Sequence, residues 1–419
     1  MVKRNKKKGV CLSVITVLVL GLGILLYVRW EAWFGNPPEE PYEVSAQPCR
    51  VLLTLGNEGE QSRWVSWMCG TEIDASARLC LADTLGDTLR IEAIGEVFES
   101  RSGSAAYYRA QLTDLQPQME YAYRVENQTG CSPWYRFRTH DAKADRFSFL
   151  YVGDVQDTIG GVVNQLLREA VALHPDVEFV AFGGDLTERP TDRYWAETFR
   201  SIDSICTALP IVNVTGNHDY LKYLIRHCER RFSLVFPYFL EGMEERDDAN
   251  HLFTFTYHNT DFFLLDSDRG LGFLYRQRQW LEQALRQSTS PHRIALLHHP
   301  LYSVKRQHNN LEVRWMFDDL LREASVDLVL QGHEHAYTHC TSSEEPLLDP
   351  DCTTPPLYVV SHCSPKSYSI HPTDRFSPVL RDGRFYQVVT VDAASVTLKA
   401  YDAMSGLQVD SVRIVRGKE

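Results

Sequence analysis

Five apolar runs in the second part of the sequence each end in residues that commonly bind metal ions. The runs are FSFLYVGD, VEFVAFGGD, LPIVNVTGNHD, HRIALLHHP and VDLVLQGHEH, and amphipathic stretches such as GGVVNQLLREAVALH lie between them. This alternation predicts β-α-β units and a largely covered sheet, which is an α/β fold. In open α/β sheets the ligand crevice lies at the carboxyl ends of the strands. The sequence therefore predicts that the five strand ends meet in one crevice.

The side chains at these strand ends carry oxygen or imidazole donors and no thiolate. They are Asp154, Asp185, Asn217 with His218, His298, and His333 with His335. Each is ordinary when taken alone, since Asp154 could cap a helix and His298 could be a satisfied core histidine. Their joint occurrence at five strand ends favours a binding site. A mixture of Asp, Asn and His suits Fe, Mn or Zn, and a carboxylate that bridges two ions suits a two-metal centre.

A different pattern precedes this region. Short alternating apolar runs from RVLLTLG to WYRFRT are separated by Gly, Asn and Asp, without a helical period. This spacing predicts an all-β sandwich domain over residues 47–140, before an α/β domain over residues 146–416. The stretch AQLTDLQPQMEYAYRV is similar to the fibronectin type III pattern. We interpret the β-sandwich as structural, because none of its residues occurs in a group with other residues of catalytic type.

The N-terminus predicts a membrane anchor. Residues 1–8 are basic, and residues 9–28 carry no charge. About twenty apolar residues span a bilayer as a helix, whereas a cleaved signal peptide has a shorter apolar stretch that ends in small residues. These features favour an uncleaved, single-pass transmembrane signal anchor, followed by a linker over residues 29–46. The basic flank should remain cytoplasmic, which places the rest of the chain outside, in the periplasm or the extracellular space.

The distribution of charge narrows the class of partners. Five of the 43 basic residues precede residue 29, where there is no acidic residue, so the remaining chain carries 38 basic and 55 acidic residues. Such an acidic body should repel nucleic acid and anionic lipid surfaces. An anionic substrate would need local positive charge, and bound metal ions are one source of it.

The cysteines leave the redox state open. Nine of them lie outside the apolar segment, and none form C-x-x-C pairs, which excludes a zinc knuckle. Pairs such as Cys340 and Cys352 could form disulfides, whereas buried free thiols fit the pattern equally well.

The order GD…GGD…GNHD…HH…GHEH resembles the calcineurin-like metallophosphoesterase superfamily. The preceding β-sandwich makes the chain most similar to purple acid phosphatases. The resemblance covers roughly residues 45–415. It implies an α+β sandwich with two β-sheets flanked by helices, and two divalent or trivalent metal ions, Fe, Mn or Zn. It further implies a phosphatase that hydrolyses small-molecule phosphomonoesters by attack of metal-bound hydroxide.

The resemblance also assigns ligands to each ion. Asp185 would bridge the two ions. Asp154 and His335 would hold the first ion, and Asn217, His298 and His333 would hold the second.

Four further residues receive roles from the resemblance. His218 would act beside the phosphate as general acid or electrostatic stabiliser, and Asp219 would orient its imidazole. Gly216 would let the backbone turn sharply. His308 falls where purple acid phosphatases have a histidine near the phosphate, although a solvated loop histidine is an equal alternative.

The sequence departs from the family pattern at three places. Glu188 stands where purple enzymes have the tyrosine that binds Fe(III), so we expect no purple colour. Gln156 stands where the broader superfamily often has a histidine, and it could be a weak metal ligand or hold a metal-bound water. The arginine of the pattern GHxHxYxR is missing from GHEHAYTHC, although Tyr337 matches. In SHCSPKSY, Lys366 could reach the rim of the crevice.

Two alternatives to a phosphomonoesterase remain open. One is a phosphodiesterase of the same superfamily, because the sequence shows few certain positive groups for a dianion. The other is a non-enzymatic surface binding protein with a degenerate metal site, which only Gln156 favours.

Overall fold

The chain begins with a long apolar helix. The computed structural model describes residues 2–36, 38–83, 88–101, 103–203, 205–238, 240, 251–305, 310–345, 347 and 349–415, with side chains from residue 14 onward. Helix α1 (Val2–Phe34) contains the segment Val14–Phe34, which by length and composition can cross a membrane. Residues 29–34 are therefore helical, and the predicted linker is shorter than expected. The helix ends where Gly35 and Pro38 disfavour a further turn.

Two antiparallel sheets form the first domain. Its strands are β1 (Cys49–Gly56), β2 (Gly59–Met68), β3 (Arg78–Ala82), β4 (Thr88–Glu92), β5 (Ile94–Glu99), β6 (Ser104–Leu112), β7 (Glu120–Asn127), β8 (Gly130–Cys131) and β9 (Tyr135–Arg138). One sheet has the order β1-β2-β6-β5, and the other has β4-β3-β7, with β8 and β9 paired to β7. Leu53 and Val65 of the first sheet are buried with Leu79 and Val125 of the second. The predicted all-β sandwich is confirmed.

The second domain alternates strands with helices. Its helices are α2 (Val163–Leu173), α3 (Asp192–Ile202), α4 (Arg231–Val235), α5 (Leu271–Gln287) and α6 (Leu311–Glu323). Its strands are β10 (Arg146–Val152), β11 (Val177–Phe182), β12 (Ile211–Asn213), β13 (Tyr220–Leu221), β14 (His227–Cys228), β15 (Phe253–Tyr257), β16 (Thr260–Leu264), β17 (His292–Leu296), β18 (Leu328–Gln331), β19 (Tyr337–Cys340), β20 (Leu357–Val360), β21 (Val379–Leu380), β22 (Phe385–Asp392), β23 (Ser395–Asp402) and β24 (Gln408–Val415). A 3-10 turn covers Asn217–Asp219.

These strands form two mixed sheets and a separate hairpin of β13 and β14. The sheet orders are β12-β11-β10-β22-β23-β24 and β15-β16-β17-β18-β20-β19-β21. Strands β10, β11 and β12 run parallel in the first sheet. Strands β16, β17, β18 and β20 run parallel in the second. The carboxyl ends of parallel strands lie at one edge of each sheet, and the predicted donors follow those ends.

An aromatic core lies between the two sheets. Phe149 of β10 stacks on Phe179 of β11 with ring centroids 4.9 Å apart, and Phe262 of β16 in the other sheet lies 5.5 Å from Phe149. In β17, Ile294 belongs to this core, while Ala295 packs with residues of α5 and α6. Both faces of the strand are covered, which explains its continuous apolar run. The predicted α/β fold with two sheets flanked by helices is confirmed.

The cysteines beyond α1 are free thiols. Cys340 is buried and Cys352 is exposed, and the two are not bonded to each other. Most of the nine are buried, as the buried-thiol interpretation expected.

Buried charges hold the linker after α1 against the second domain. The Glu39 side chain is 1% exposed and pairs with Arg231, whose side chain is 0% exposed. Glu39 Oε1 also accepts a hydrogen bond from the backbone N–H of Asp192 at 2.7 Å. Glu229 lies 3.2 Å from the same Arg231 guanidinium. The segment is thus a fixed part of the fold, although its composition predicts a linker.

We expect Glu39→Ala to lower the free energy of unfolding by about 3 kcal/mol, because it leaves a buried guanidinium undercompensated. The neighbouring Glu40→Ala is the control. Glu40 pairs with Arg193 at 3.5 Å on the surface, and such exposed pairs contribute about 0–1 kcal/mol. Denaturant unfolding of the full chain in detergent, followed by tryptophan fluorescence, measures both. Equal decreases in the free energy of unfolding for the two variants would contradict a stabilising role for the buried Glu39 carboxylate.

Candidate metal centre

The five motif blocks lie together at the junction of the two sheets of the second domain. Three blocks follow strands of the first sheet and two follow strands of the second. The donors are Asp154 after β10, Asp185 after β11, Asn217 after β12, His298 after β17, and His333 and His335 after β18. The pattern of the sequence predicted one crevice but did not show that two sheets would build it.

One group of donor atoms surrounds Asn217. The Oδ1 atom of Asn217 lies 2.9 Å from His333 Nδ1 and 3.3 Å from His298 Nε2. The same His298 Nε2 lies 3.3 Å from Asp185 Oδ2. One carboxylate oxygen, one amide oxygen and two imidazole nitrogens therefore converge, and this donor set suits Zn, Mn or Fe.

A second group of donor atoms surrounds Asp154. Its Oδ1 atom lies 3.6 Å from His335 Nε2. Ligand atoms of Asp154, Asp185 and His298 all lie within 4.8 Å of one another. Asp154 Oδ1 is buried and has no hydrogen-bond partner among the described residues. Since an unsatisfied buried carboxylate oxygen is costly, a cation is the group that these residues fit.

Backbone carbonyls orient two of the histidines. His298 Nδ1 donates to the carbonyl of Gly183 at 2.9 Å, and His335 Nδ1 donates to the carbonyl of Lys366 at 3.1 Å. In the neutral ring the lone pair is then on Nε2, which faces the acidic oxygens of the cluster. Such contacts fix the tautomer of a metal-binding histidine.

The two buried carboxylates require nearby positive charge. Burial raises the pKa of Asp154 to about 8, and His298 only partly offsets this. Burial also opposes ionisation of Asp185, but the charge of His298 outweighs it and holds the pKa of Asp185 below its ordinary value. Burial would lower the pKa of His298, yet Asp185 and Asp154 raise it well above its ordinary value. A proton on His298 thus supplies charge that a metal ion can supply instead.

The backbone at the strand ends adopts a rare conformation. Five non-glycine residues of the site have positive φ, namely Asp154 (39°), Gln156 (34°), Asp185 (49°), His333 (72°) and His335 (48°). Positive φ is uncommon for such residues and typically costs about 1–3 kcal/mol each. Backbone strain of this kind clusters at functional sites, and here it aims the side chains into the crevice.

Glycines of the motifs make room for the carboxylates. A Cβ atom on Gly332 would clash with Asp154 Oδ2, and one on Gly216 would clash with Asp185 Oδ1. Gly216 has φ −120° and ψ 173°, which any residue adopts. The expected sharp turn at Gly216 is therefore wrong, since this glycine is required for close approach.

His218 lies at the edge of the donor cluster, with its side chain 27% exposed and Nε2 3.9 Å from Asp185 Oδ2. Its Nδ1 donates to the carbonyl of Glu188 at 2.5 Å. The prediction that Asp219 orients this imidazole is wrong. Asp219 is buried and its Oδ2 instead accepts from the N–H of Gly216 at 2.8 Å, so it shapes the loop.

Two of the three departures from the family pattern, Gln156 and Glu188, lie beside the cluster. Gln156 donates from Nε2 to Asp185 Oδ2 at 3.0 Å, and its buried Oε1 has no partner among the described residues. Glu188, in the position of the family tyrosine, forms an ion pair with Lys366. Lys366 therefore reaches the crevice, as the sequence suggested, and it neutralises Glu188.

The sequence did not predict the residues that contact the metal-site histidines from outside the donor cluster. Lys305 Nζ donates to the carbonyl of His333 at 3.0 Å and lies 3.8 Å from the ring centre of Tyr368. The Tyr368 ring lies 4.3 Å from that of His335. Lys305 lies in a loop without a motif, and Tyr368 ends the stretch SHCSPKSY, in which the sequence indicated only Lys366. His308 lies outside the described residues.

Two family models match the chain. Residues 147–337 match the model described as calcineurin-like phosphoesterase, and residues 48–139 match the model described as purple acid phosphatase, N-terminal domain. The first match ends just after the last donor, His335.

Similar curated proteins are acid and purple acid phosphatases. Acid phosphatase type 7 of Danio rerio is 25% identical over 61% of this chain and 63% of its own length. Acid phosphatase type 7 of Homo sapiens is 27% identical over 55% of this chain and 56% of its own length. Probable purple acid phosphatase 20 of Arabidopsis thaliana is 26% identical over 39% of this chain and 40% of its own length. The chain thus spans between 40% and 63% of the length of these relatives.

The layered second domain with donors at its strand ends is a calcineurin-like phosphoesterase domain. A purple acid phosphatase N-terminal domain precedes it at residues 48–139, and the similar curated proteins are acid and purple acid phosphatases.

Gly216→Ala should weaken metal binding by about 10- to 100-fold, the effect typical of displacing a group that supports a ligand. The added methyl group would push Asp185 away from His298. Gly270→Ala is the matched control, because a Cβ atom there meets nothing within 4 Å. Calorimetric titration of the full chain with Mn²⁺ or Zn²⁺ gives both affinities. Equal affinities would show that Asp185 does not hold the ion.

Metal affinity should also depend on pH. Because the pKa of Asp154 is raised to about 8, its carboxyl group must lose a proton to bind an ion. We expect the affinity to fall at least about tenfold for each pH unit below 8, because the raised pKa of His298 requires that this ligand also loses a proton. Asp154→Asn has no such proton, so it should bind more weakly with a shallower pH dependence. A flat pH profile for the natural chain would contradict this electrostatic description.

Proposed function

We propose that the chain is a membrane-anchored, dinuclear-metal phosphoesterase that hydrolyses phosphomonoesters. The observation that carries this proposal is the convergence of six donor residues from five strand ends, with His218 at the open side of the cluster. The phosphatase relatives support the same reaction class.

The distances favour a division of the donors between two ions. Asp185 lies between the two groups, so it would bridge. Asp154 and His335 would hold one ion, and Asn217, His298 and His333 would hold the other. Two bound ions would polarise a water molecule, align the phosphoryl oxygens and offset their charge. The metal, Fe, Mn or Zn, is left open by the donor set. Since Glu188 replaces the family tyrosine and pairs with Lys366, the first ion need not be iron.

His218 would serve the substrate rather than an ion. The carbonyl of Glu188 holds its Nδ1 proton, so Nε2 is directed to the cleft. From this position the imidazole would donate a proton to the leaving oxygen or stabilise negative charge on the phosphoryl group. Asp219 would stabilise the loop through the hydrogen bond that its Oδ2 accepts from the N–H of Gly216.

Positive charge around the cleft favours a monoester over a diester. Arg189, Lys222 and Arg226 line the same cleft as Asn217 and His218. Glu31 and Glu188 also line it, and Glu188 is paired with Lys366, so the cations exceed the acids. A phosphomonoester dianion carries more charge than a diester, so it gains more from these three cations. The sequence alone left this distinction open, because it does not show that the cations meet at the site.

The anchor would place the site outside the cytoplasm. The basic residues before α1 favour a cytoplasmic N-terminus, and α1 can cross a membrane by length and composition. The catalytic domain would then face the periplasm or the extracellular space.

Asp185→Asn should lower phosphomonoester turnover at least about 100-fold, since bridged ions contribute several kcal/mol to transition-state stabilisation. Asp114→Asn is the control, because Asp114 also has positive φ (58°) but lies in the β-sandwich. The full chain in detergent is stripped, reloaded with Mn, Zn or Fe, and assayed with p-nitrophenyl phosphate and bis-p-nitrophenyl phosphate.

Loss of monoester turnover in Asp185→Asn alone would support the proposal. Turnover of the diester only would favour a phosphodiesterase. Stoichiometric metal binding without turnover of either ester would refute the phosphomonoesterase proposal and favour a surface binding protein.

A further inference from the structure

A short hairpin directly after the GNHD motif presents an apolar tip. Strands β13 and β14 pair Tyr220 with Cys228 and Leu221 with His227. At the tip, Leu224 is 79% exposed and Ile225 is 83% exposed. They are the most exposed large apolar side chains outside α1 in the part of the chain that the structure describes. Adjacent exposed residues of this kind mark a contact surface rather than scattered surface hydrophobicity.

Cations flank this apolar tip. Lys222 and Arg226 lie on either side of it in the sequence, and Arg189 lines the same cleft. None of the three forms an ion pair with a described residue. Glu31 and Glu188 also line the cleft, but Lys366 pairs with Glu188, so the cations exceed the acids here although the chain as a whole is acidic. An apolar tip between basic residues is the composition of segments that bind the interface of anionic membranes.

The hairpin is fixed to the end of the membrane anchor. Asn36, two residues beyond the end of α1, donates from Nδ2 to the carbonyl of Lys222 at 2.7 Å. In return, the N–H of Lys222 donates to Asn36 Oδ1 at 2.7 Å. Trp30 and Trp33, near the end of α1, are exposed, as expected of side chains at the level of the lipid headgroups. The hairpin is therefore held beside the point where α1 would leave the bilayer.

The candidate metal centre opens into the same region. A single cleft is lined by Gly35 and Asn36 from the anchor end, Lys222 from the hairpin, and Asn217 and His218 from the site. A phosphate group in this cleft would lie beside the headgroup layer.

We propose that the hairpin of residues 220–228 inserts Leu224 and Ile225 into the bilayer that α1 spans, and that the substrate is a lipid phosphomonoester of that bilayer. This inference rests on the proposed phosphoesterase function. Water adds to the phosphorus, the bond from phosphorus to the lipid oxygen breaks, and a proton passes to that oxygen. The products are a lipid alcohol and inorganic phosphate.

Two measurements on the full chain in phosphatidylcholine bilayers test the proposal. A solvatochromic fluorescent amino acid replaces Leu224, or Leu407 as a control, since Leu407 is 68% exposed on the turn between β23 and β24. Quenching by lipids with spin-labelled acyl chains reports insertion. We expect strong quenching at position 224 and none at position 407.

The second measurement compares substrates. Turnover of phosphatidic acid in the bilayer and of soluble p-nitrophenyl phosphate is measured for the natural chain, the Leu224→Ser/Ile225→Ser variant and the Met404→Ser/Leu407→Ser control. We expect the hairpin variant to lose about tenfold or more on phosphatidic acid and less than about twofold on the soluble ester, because only the membrane contact is removed. The control variant should match the natural chain on both.

The outcomes separate this inference from the proposed function. Hydrolysis of the soluble ester, without quenching at position 224 and without hydrolysis of phosphatidic acid, would overturn the inference and leave the phosphoesterase standing. Crosslinking of position 224 to a second copy of the chain, in place of quenching, would also overturn it. Hydrolysis of neither ester would remove the proposed function, and the lipid substrate with it.

Discussion

The rest of the site depends on the burial of two neighbouring carboxylates, Asp154 and Asp185. Two such groups cannot both be charged in a dry crevice without nearby positive charge. His298 meets part of this need, because Asp185 and Asp154 raise its pKa well above the ordinary value although burial alone would lower it. Amide and imidazole donors are directed at the same space. These features together define a cavity built for cations, and they explain why the donor set has few carboxylates and several neutral ligands.

The two-sheet architecture makes this arrangement possible at a cost in backbone strain. The parallel strands of both sheets direct their carboxyl ends to one junction, so residues far apart in sequence meet there. Tight turns with positive φ then aim Asp154, Asp185 and His335 inward. Glycines such as Gly332 and Gly216 let neighbouring turns approach the carboxylates. Backbone strain of this kind clusters at functional sites, which supports a binding role for the site.

The sequence predicted the parts of the site that follow strand ends, because strand periodicity and strand-end chemistry are local signals. It failed where backbone atoms or distant segments decide the geometry. Asp219 was expected to orient His218, but the backbone carbonyl of Glu188 does so. Every residue has a backbone carbonyl, so the sequence does not show which one accepts this hydrogen bond. The PPEEP segment has the composition of a linker, yet Glu39 is buried against Arg231. The proximity of the hairpin to the end of α1 likewise depends on a tertiary contact, between Asn36 and Lys222, that no sequence pattern encodes.

Anomalous X-ray diffraction from crystals of the metal-loaded chain tests the central claim most directly. The two-ion site predicts two anomalous peaks roughly 3.5–4 Å apart. Asp185 should lie between them, with Asp154 and His335 beside one peak and Asn217, His298 and His333 beside the other. A single peak, or two peaks without Asp185 between them, would contradict the dinuclear centre and with it the proposed chemistry.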